Sequence, residues 1–286
     1  MFYEHINSAS ADYPFLVRHH NVKYIPHLHD ETEIVLVEDG EIELTLDHNI
    51  TVLKKGEIAI IPCKVIHNLY TKKSSKTYVI KLFPIVDIEE IKLKSYILSK
   101  NDEIYFEIVN LIQNIMKEDN VKDSEYELAV NICAEQIFLF ILRKLKQIPL
   151  EKRDKIRMQK ESKFLNNINT YLEENYKKGI GLQDVSDYLG LTKSYFCRYF
   201  KKITGTSFWN YYTLFRLEKA IELIKNVENE NLISIALECG FNNVRSFNKA
   251  FKEYYLKTPS EYKKTIVCFL KNIMHKKSGR TNWCAL

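Results

Sequence analysis

The chain has 286 residues, more than the roughly 100 to 200 residues of one domain, and this length predicts two domains. Hydrophobic residues make up 45% and charged residues 28% of the chain, so composition excludes disordered, collagen-like and low-complexity classes. The most apolar stretch, residues 128–142, is interrupted by polar side chains and is shorter than the roughly 20 apolar residues of a membrane span. The first residues lack the pattern of a secretion signal, so we expect a cytoplasmic protein.

Charge is distributed unevenly along the chain. Residues 1–160 carry 22 Lys/Arg and 25 Asp/Glu, whereas residues 161–286 carry 20 Lys/Arg and 12 Asp/Glu. A basic domain next to a mildly acidic one is typical of nucleic-acid binding, although many solvated helical surfaces are also basic. The charge pattern therefore favours a DNA-binding C-terminal part, with a solvated basic surface as the alternative.

The first third of the chain alternates apolar and polar residues in short runs, which is typical of antiparallel strands. Turn signals at Asp39-Gly40, at residues 47–49 and at Lys55-Gly56 separate these runs. The predicted strands cover residues 33–37, 42–46, 50–53, 58–61 and 78–82. Several strands at this spacing predict an antiparallel β barrel or sandwich over residues 1–98.

After residue 98 the apolar spacing becomes helical and predicts two long helices in residues 99–148. Apolar side chains three and four positions apart also form a ridge on the second helix. This ridge adds more apolar surface than one helix needs to cover the small β domain. We therefore expect a homodimer through residues 99–148, the alternative being packing within one monomer. The ridge consists of Leu128, Ile132, Glu135, Leu139 and Leu142.

A highly charged segment with a helix-stopping proline follows these helices. It has no apolar face, so we predict a linker over residues 149–161. The DNA-binding part would then occupy residues 162–264, followed by a tail at 265–286 for which we have no account.

The last third of the chain contains one pattern twice, about fifty residues apart. In each copy a small residue, Ser186 or Ala236, precedes a glycine by four positions, and Gly190 or Gly240 permits a left-handed turn. A second helix with aromatic residues four apart on its buried face follows. This is the layout of a helix-turn-helix, and two copies in a basic domain indicate DNA binding.

Helical geometry identifies the exposed positions of each second helix once the aromatic residues are assigned to the core. They are Lys193, Ser194, Cys197, Arg198, Lys201 and Lys202 in the first copy, and Val244, Arg245, Asn248, Lys249 and Lys252 in the second. Arginine can pair with guanine, asparagine with adenine, and serine or valine can contact a thymine methyl, whereas lysine more often contacts phosphate. We expect base reading by Ser194, Cys197, Arg198, Val244, Arg245 and Asn248. Any single position has the alternative of being a solvated residue, and Cys197 that of a redox-sensitive thiol.

Four segments of this region resemble the AraC/XylS family of transcription regulators: residues 190–205, 216–220, 239–241 and 258–262. The resemblance is dense over residues 163–264. It implies two helix-turn-helix units joined by a long helix at about residues 208–226, with promoter DNA and RNA polymerase as partners. It also implies a regulator that responds to a small molecule, with a sugar or sugar derivative as the leading expectation. We expect an activator, and a repressor is the alternative that the sequence leaves open. Leu256 departs from the family, which usually has glycine there.

The β segment carries a second set of polar residues, with His27, His29 and Glu33 followed by Gly40, and then Gly56, Pro62 and His67. This spacing resembles the two cupin motifs, with departures at Asn21, Lys64 and Thr71. Strand alternation would direct His27, His29 and Glu33 into the barrel. With His67, they could bind a divalent metal, bond to one another, or line a pocket for an organic effector. We prefer an effector pocket lined by Arg18, His27, His29, Glu33 and His67, and we expect no cofactor.

Two function classes remain. The first is a transcription regulator whose cupin-like domain senses a small molecule, and the second is a metal-dependent cupin enzyme with an accessory domain. The duplicated motif favours the first, because the enzymatic alternative rests on the cupin residues alone. The predicted fold is an α+β multidomain protein: an N-terminal antiparallel β barrel of cupin or jelly-roll type with two helices, and a C-terminal all-α domain with two helix-turn-helix units.

Overall fold

The computed structural model describes residues 15–20, 22–82, 91–93, 96–226 and 231–264; for 15–20, 91–93 and 225–226 only the backbone is described. The chain forms two compact units. The first comprises residues 1–170 together with 198–206, and the second comprises residues 171–197 together with 207–286.

The first unit contains an antiparallel β domain. Its strands are β1 (Phe15–His20), β2 (Thr32–Leu46), β3 (Asn49–Lys54), β4 (Ile58–Ile61), β5 (His67–Tyr70), β6 (Ser75–Leu82), β7 (Ile91–Leu93), β8 (Ile97–Leu98) and β9 (Gln147–Pro149). The main sheet has the order β1-β6-β2-β4-β8, and β2 also pairs with β3 and β5. The predicted antiparallel β domain is confirmed.

The predicted turn at Asp39-Gly40 is wrong. β2 continues through these residues, with a register shift between Val37 and Asp39 where it pairs with β6. Gly40 has φ +76°, and a Cβ atom there would lie 2.2 Å from the carbonyl oxygen of Ser74. The glycine therefore permits a close approach inside a bent strand, where the sequence suggested a chain reversal.

The predicted turn after Leu46 is correct. Leu46 pairs with Asn49 across the β2–β3 hairpin, and the two residues between them, Asp47 and His48, have φ values of 47° and 68°. Positive φ at both positions is characteristic of the type I′ turn, which matches the twist of the flanking strands.

Two helices, α1 (Tyr105–Val121) and α2 (Tyr126–Lys144), cover one face of the sheet. Ile108, Ile112 and Ile137 are fully buried in this layer. A second apolar cluster fills the barrel itself, formed by residues such as Val35 and Leu44. The side chains that the sequence placed on an outer ridge of α2 remain exposed or half-exposed.

Residues 149–161, predicted as a linker, are mostly helical. Helix α3 (Lys152–Asn175) begins in this segment and runs through it without a break. Its apolar face starts only later, at Leu165, Ile168 and Leu172, each with 0% exposure. The charged first turns therefore extend a helix that packing stabilises further along the chain.

The remaining helices form the two predicted helix-turn-helix units. The first copy is α4 (Leu182–Tyr188) with α5 (Lys193–Thr204), and α6 (Phe208–Asn226) follows it. The second copy is α7 (Leu232–Glu238) with α8 (Val244–Tyr255). The described residues 259–264 are also helical. Gly190 and Gly240 have φ values of 66° and 78° in the turns. Of the described helices, none is both long and apolar enough to cross a membrane.

Leu256 ends α8 in the left-handed conformation, with φ 57°. The turn after the second copy is therefore built in the way that a glycine would build it, although leucine pays a steric penalty in this region.

Candidate DNA interface and buried histidine cluster

Helix α5 presents one polar face and one aromatic face. The hydroxyl of Thr192 lies 3.3 Å from the backbone N–H of Tyr195 at the start of the helix. Phe196 and Phe200 are fully buried, which directs the opposite face outward. The predicted DNA-contacting residues on this face are all exposed: Lys193, Ser194, Cys197, Arg198, Lys201 and Lys202.

Helix α8 repeats this arrangement. The side chain of Asn243 accepts a hydrogen bond of 2.8 Å from the backbone N–H of Ser246, and Phe247 and Phe251 are fully buried. Val244 differs from the prediction, because it is half-buried and packs against the apolar core of the second unit. Arg245, Asn248, Lys249 and Lys252 are exposed.

Arg216 on α6 holds the turn of the second copy, a role that sequence reasoning missed. Its guanidinium donates a hydrogen bond of 2.8 Å to the carbonyl oxygen of Gly240. It also lies 4.3 Å from the ring centres of both Tyr212 and Phe241. Burial lowers the pKa of Arg216. The sequence signal was present, because Arg216 belongs to one of the segments that resemble the family.

The β domain brings four predicted residues together in what we call the four-residue cluster: His27, His29, Glu33 and His67. One ligand atom of each lies within 4.8 Å of the others, and none is more than 4% exposed. Strand alternation, which we expected from the sequence, is not what brings these side chains together. His27 and His29 precede β2, and His27 forms an isolated bridge with His67. The side chain of Arg18, predicted to line the same pocket, lies outside the described residues.

Backbone carbonyls determine the tautomer of all three imidazoles. The Nδ1 atoms of His27, His29 and His67 lie 2.8, 2.9 and 2.8 Å from the carbonyl oxygens of Ile25, Glu31 and Val65. A carbonyl oxygen only accepts hydrogen bonds, so each Nδ1 carries the proton and donates. In the neutral imidazole the Nε2 atom is then an acceptor.

These acceptors face a carboxylate. The Nε2 atoms of His29 and His67 lie 3.1 and 3.8 Å from the oxygens of Glu33. Among the described residues, His27 Nε2, His67 Nε2 and Glu33 Oε1 have no hydrogen-bond partner. Acceptors this close repel one another unless a proton or a cation lies between them.

The cluster favours the ionised carboxylate. Burial by itself raises the pKa of Glu33. Where a proton lies between the groups, hydrogen bonds from His29 and His67 and their Coulombic attraction outweigh burial and hold that pKa well below the usual range. Burial, together with the neighbouring histidines, lowers the pKa of His27 well below that of a free histidine. The cluster thus combines a carboxylate with a neutral imidazole.

The same geometry fits a divalent transition metal. Neutral Nε2 atoms and a carboxylate are the ligands that such ions take. Carbonyl oxygens that fix the Nδ1 protons are the outer partners that orient metal-bound histidines.

The departures from the cupin motifs are partly explained. Lys64 stands where the second motif has glycine, and it adopts a positive φ of 59°. Its backbone N–H donates to the carbonyl of His29 over 2.7 Å, so the left-handed position of the motif is retained. Thr71 is buried and lies 2.7 Å from the hydroxyl of Ser75. Asn21 lies outside the described residues.

Comparison with known proteins matches both regions. A helix-turn-helix domain model matches residues 185–265, and a cupin domain model matches residues 19–82. The chain is 34% identical over 122 residues to the transposon Tn10 TetD protein of Escherichia coli, covering 42% of this chain and 85% of that protein. It is 38% identical over 97 residues to the raffinose operon transcriptional regulatory protein RafR of Pediococcus pentosaceus, covering 34% of this chain and 35% of that protein.

A solved structure has the same fold. Apo ToxT from Vibrio cholerae matches with a TM-score of 0.53 at 13% sequence identity, covering 90% of this chain and 99% of that chain.

Proposed function

This chain belongs to the AraC/XylS family of helix-turn-helix transcription regulators and carries an N-terminal cupin domain, and on this premise we propose how it binds DNA and what it senses. Helices α5 and α8 read the bases of promoter DNA, and a small molecule bound in the cupin domain controls that binding. The exposed polar faces of α5 and α8, each opposite a buried aromatic face, are the observation that carries the proposal.

Two arginines lead the base contacts. Arg198 and Arg245 are exposed on their helices, and a guanidinium can pair with both acceptor atoms of guanine in the major groove. Lys201, Lys202 and Lys249 are exposed on the same helices and suit phosphate contacts.

The test is DNA binding by the full chain to the region upstream of its own gene. Tight binding that falls steeply with salt is expected, because each phosphate contact releases counterions and lowers log K by about 0.9 per log unit of salt. The double variant Arg198→Ala/Arg245→Ala should lose preference for this region over scrambled DNA. Arg143→Ala/Arg153→Ala changes two exposed arginines outside α5 and α8 and is the matched control. Equal loss in both variants, or salt-independent binding, would contradict the proposal.

The effector is a hydroxyl-rich molecule, and we take a sugar or sugar derivative as its class. Hydroxyl groups can donate to the free Nε2 atoms and to the Glu33 carboxylate, which satisfies buried acceptors that otherwise cost several kcal/mol. The relative RafR supports this class, because its name assigns it to a raffinose operon.

A metal-loaded sensor is the second candidate, favoured by the convergence of the three Nε2 atoms on Glu33. Metal analysis of the purified full chain, followed by calorimetric titration with sugars, separates the two candidates. Stoichiometric metal that is lost in Glu33→Gln supports the second, whereas sugar binding by the metal-free chain supports the first. A Glu33→Gln/His67→Gln chain that folds and still answers the inducer with the same dose dependence would exclude a sensory role for the cluster.

In the cell, the regulator acts in the cytoplasm as an activator that contacts RNA polymerase, rather than as an enzyme. A reporter gene placed under control of the upstream region tests the activator role, because its transcription should fall when the gene for this regulator is deleted. A rise in transcription would identify a repressor.

The regulator also forms a homodimer through the outer ridge of α2. Leu128, Ile132 and Leu139 are 57%, 47% and 43% exposed, which supports an intermolecular role, since an apolar ridge is costly in water. Ile132→Glu or Leu139→Glu should give a folded monomer by light scattering. Ile137→Glu, at a fully buried position, should unfold the domain. A dimer that persists in both ridge variants would contradict this interface.

A further inference from the structure

The β2–β3 hairpin turn, Asp47-His48, has a histidine at the second central position, where glycine is common. Both residues have positive φ, a conformation that glycine adopts most easily and that other residues adopt at a steric cost, although aspartate and histidine adopt it more often than most. Such strain persists where surrounding contacts hold it in place. The contacts of the two side chains therefore indicate what the turn does.

Both side chains contact residues of α3 and α5 that belong to the first unit, as the turn itself does. Asp47 forms an ion pair of 3.0 Å with Arg157 on α3. The Nδ1 atom of His48 donates a hydrogen bond of 2.9 Å to the carbonyl oxygen of Lys202 in the last turn of α5. Its Nε2 atom lies 3.3 Å from the carboxylate of Glu161 on α3. One strained turn thus binds two helices.

The bond to Lys202 satisfies a particular need of the helix. The last four carbonyl groups of an α-helix have no partner within the helix, and His48 supplies a donor to one of them. Next to it, a Cβ atom on Gly205 would lie 3.3 Å from the methyl carbon of Thr45 on β2. The hairpin therefore packs closely on the end of the first recognition helix.

The same hairpin is continuous with the four-residue cluster. His67 pairs with Leu46, the last residue of β2 before the turn. Glu33, which faces His67, lies on the same strand. The cluster and the turn thus share one hydrogen-bonded strand pair.

We propose that the Asp47-His48 turn couples the four-residue cluster to the end of α5, so that a change at the cluster alters how firmly the first recognition helix is held. The proposal rests on the sensory role proposed above for the cluster. A change in the position of His67 is transmitted to Leu46 through their pairing, and from the turn to Lys202 through the imidazole of His48. The two elements are coupled because both bias one shared contact.

Hydrogen exchange of the full chain without DNA tests the coupling in a cycle of four proteins: the wild type, Glu33→Gln, His48→Gly and the double variant. His48→Gly removes the imidazole, and glycine readily adopts the positive φ of this position, so the hairpin itself stays intact. In the wild-type background, Glu33→Gln should speed exchange in residues 198–206 about fivefold, the effect of weakening one hydrogen bond. In the His48→Gly background it should leave residues 198–206 unchanged while still affecting residues 45–49.

An equal effect of Glu33→Gln on residues 198–206 with and without His48 would overturn the proposal, as would no effect in the wild-type background. Exchange of α1 and α2, which belong to the first unit, is the internal control for folding of that unit. If Glu33→Gln does not fold, His67→Gln takes its place in the cycle. Because no DNA is present, a failure here is distinct from a failure of the proposed DNA recognition.

Discussion

The two helix-turn-helix copies follow one sequence pattern but are held in different surroundings. In the first copy, Gly190 has no atom within 4 Å of the position where a Cβ would be. In the second, a Cβ on Gly240 would lie 2.3 Å from the carbonyl oxygen of Tyr176, and Arg216 binds the Gly240 carbonyl. The second turn is enclosed by its own unit, whereas the first is open.

The second helices of the two copies also end at different residue types. Helix α5 is followed by Gly205, with φ 73°, and its last turn belongs to the first unit. Helix α8 ends at Leu256 in the same left-handed conformation. Equal motifs therefore do not imply equal tolerance of mutation, and the comparison leads to four predictions.

The largest effect is expected at the two turn glycines. Gly190→Ala should cost about 1 to 2 kcal/mol, the penalty of a left-handed alanine. Gly240→Ala adds overpacking against the backbone of Tyr176 and should cost about 2 to 5 kcal/mol. Urea unfolding of the full chain measures both free energies. Similar losses at the two sites would show that the second turn relaxes and is not enclosed.

The two arginines should make separable contributions to DNA binding. Arg198→Ala and Arg245→Ala should each cost about 1 to 3 kcal/mol on specific DNA and relax preference at one base pair. Footprinting should map these base pairs about one helical turn, or roughly 34 Å, apart, because two recognition helices that bind the same face of DNA enter its major groove one helical turn apart. Lys202→Ala is the control and should weaken binding to all sequences alike. If each monomer protects only one segment of the major groove, base contacts by both helices are contradicted.

Leu256→Gly should stabilise the second unit by about 0.5 to 1 kcal/mol. It relieves the left-handed leucine, while the more flexible unfolded chain offsets part of the gain. Leu256→Ala is the matched control, since it removes the side chain but keeps the strained conformation. Thermal unfolding measures both variants, and an equal gain in both would assign the effect to the partly exposed leucine side chain.

The smallest expected difference between the two copies is in the reactivity of their cysteine thiols. Burial raises the pKa of Cys239 to about 12, whereas Cys197 is exposed on α5. Brief alkylation of the native chain at about pH 8 should therefore modify Cys197, which the reagent can reach, and spare Cys239, whose thiol is buried. Peptide mass spectrometry reports both sites, and denatured protein is the control in which both react. Modification of Cys239 in the native chain would indicate opening of the second unit.

Patterns of local spacing predicted much of this protein. The β domain, the two helix-turn-helix copies and the long helix between them follow from periodicity and from glycines at fixed offsets. The outward faces of α5 and α8 follow from the aromatic residues that must be buried. The prediction failed at Asp39-Gly40, because a glycine inside a bent strand has the same local signature as a turn. It was incomplete for residues 149–161, where packing of the later turns of α3 decides that the segment is helical.

The sequence by itself determined the domain types and the duplicated motif, because these depend on residue type and short-range spacing. The four residues that meet in the barrel were identified through the resemblance to the cupin motifs. Only the tertiary structure decided the orientation of the imidazoles, since this depends on which backbone carbonyl reaches each Nδ1. It alone also decided that His48 binds the Lys202 carbonyl, 154 residues away in the chain. Contacts between distant segments leave no local pattern, because they arise from how whole elements pack.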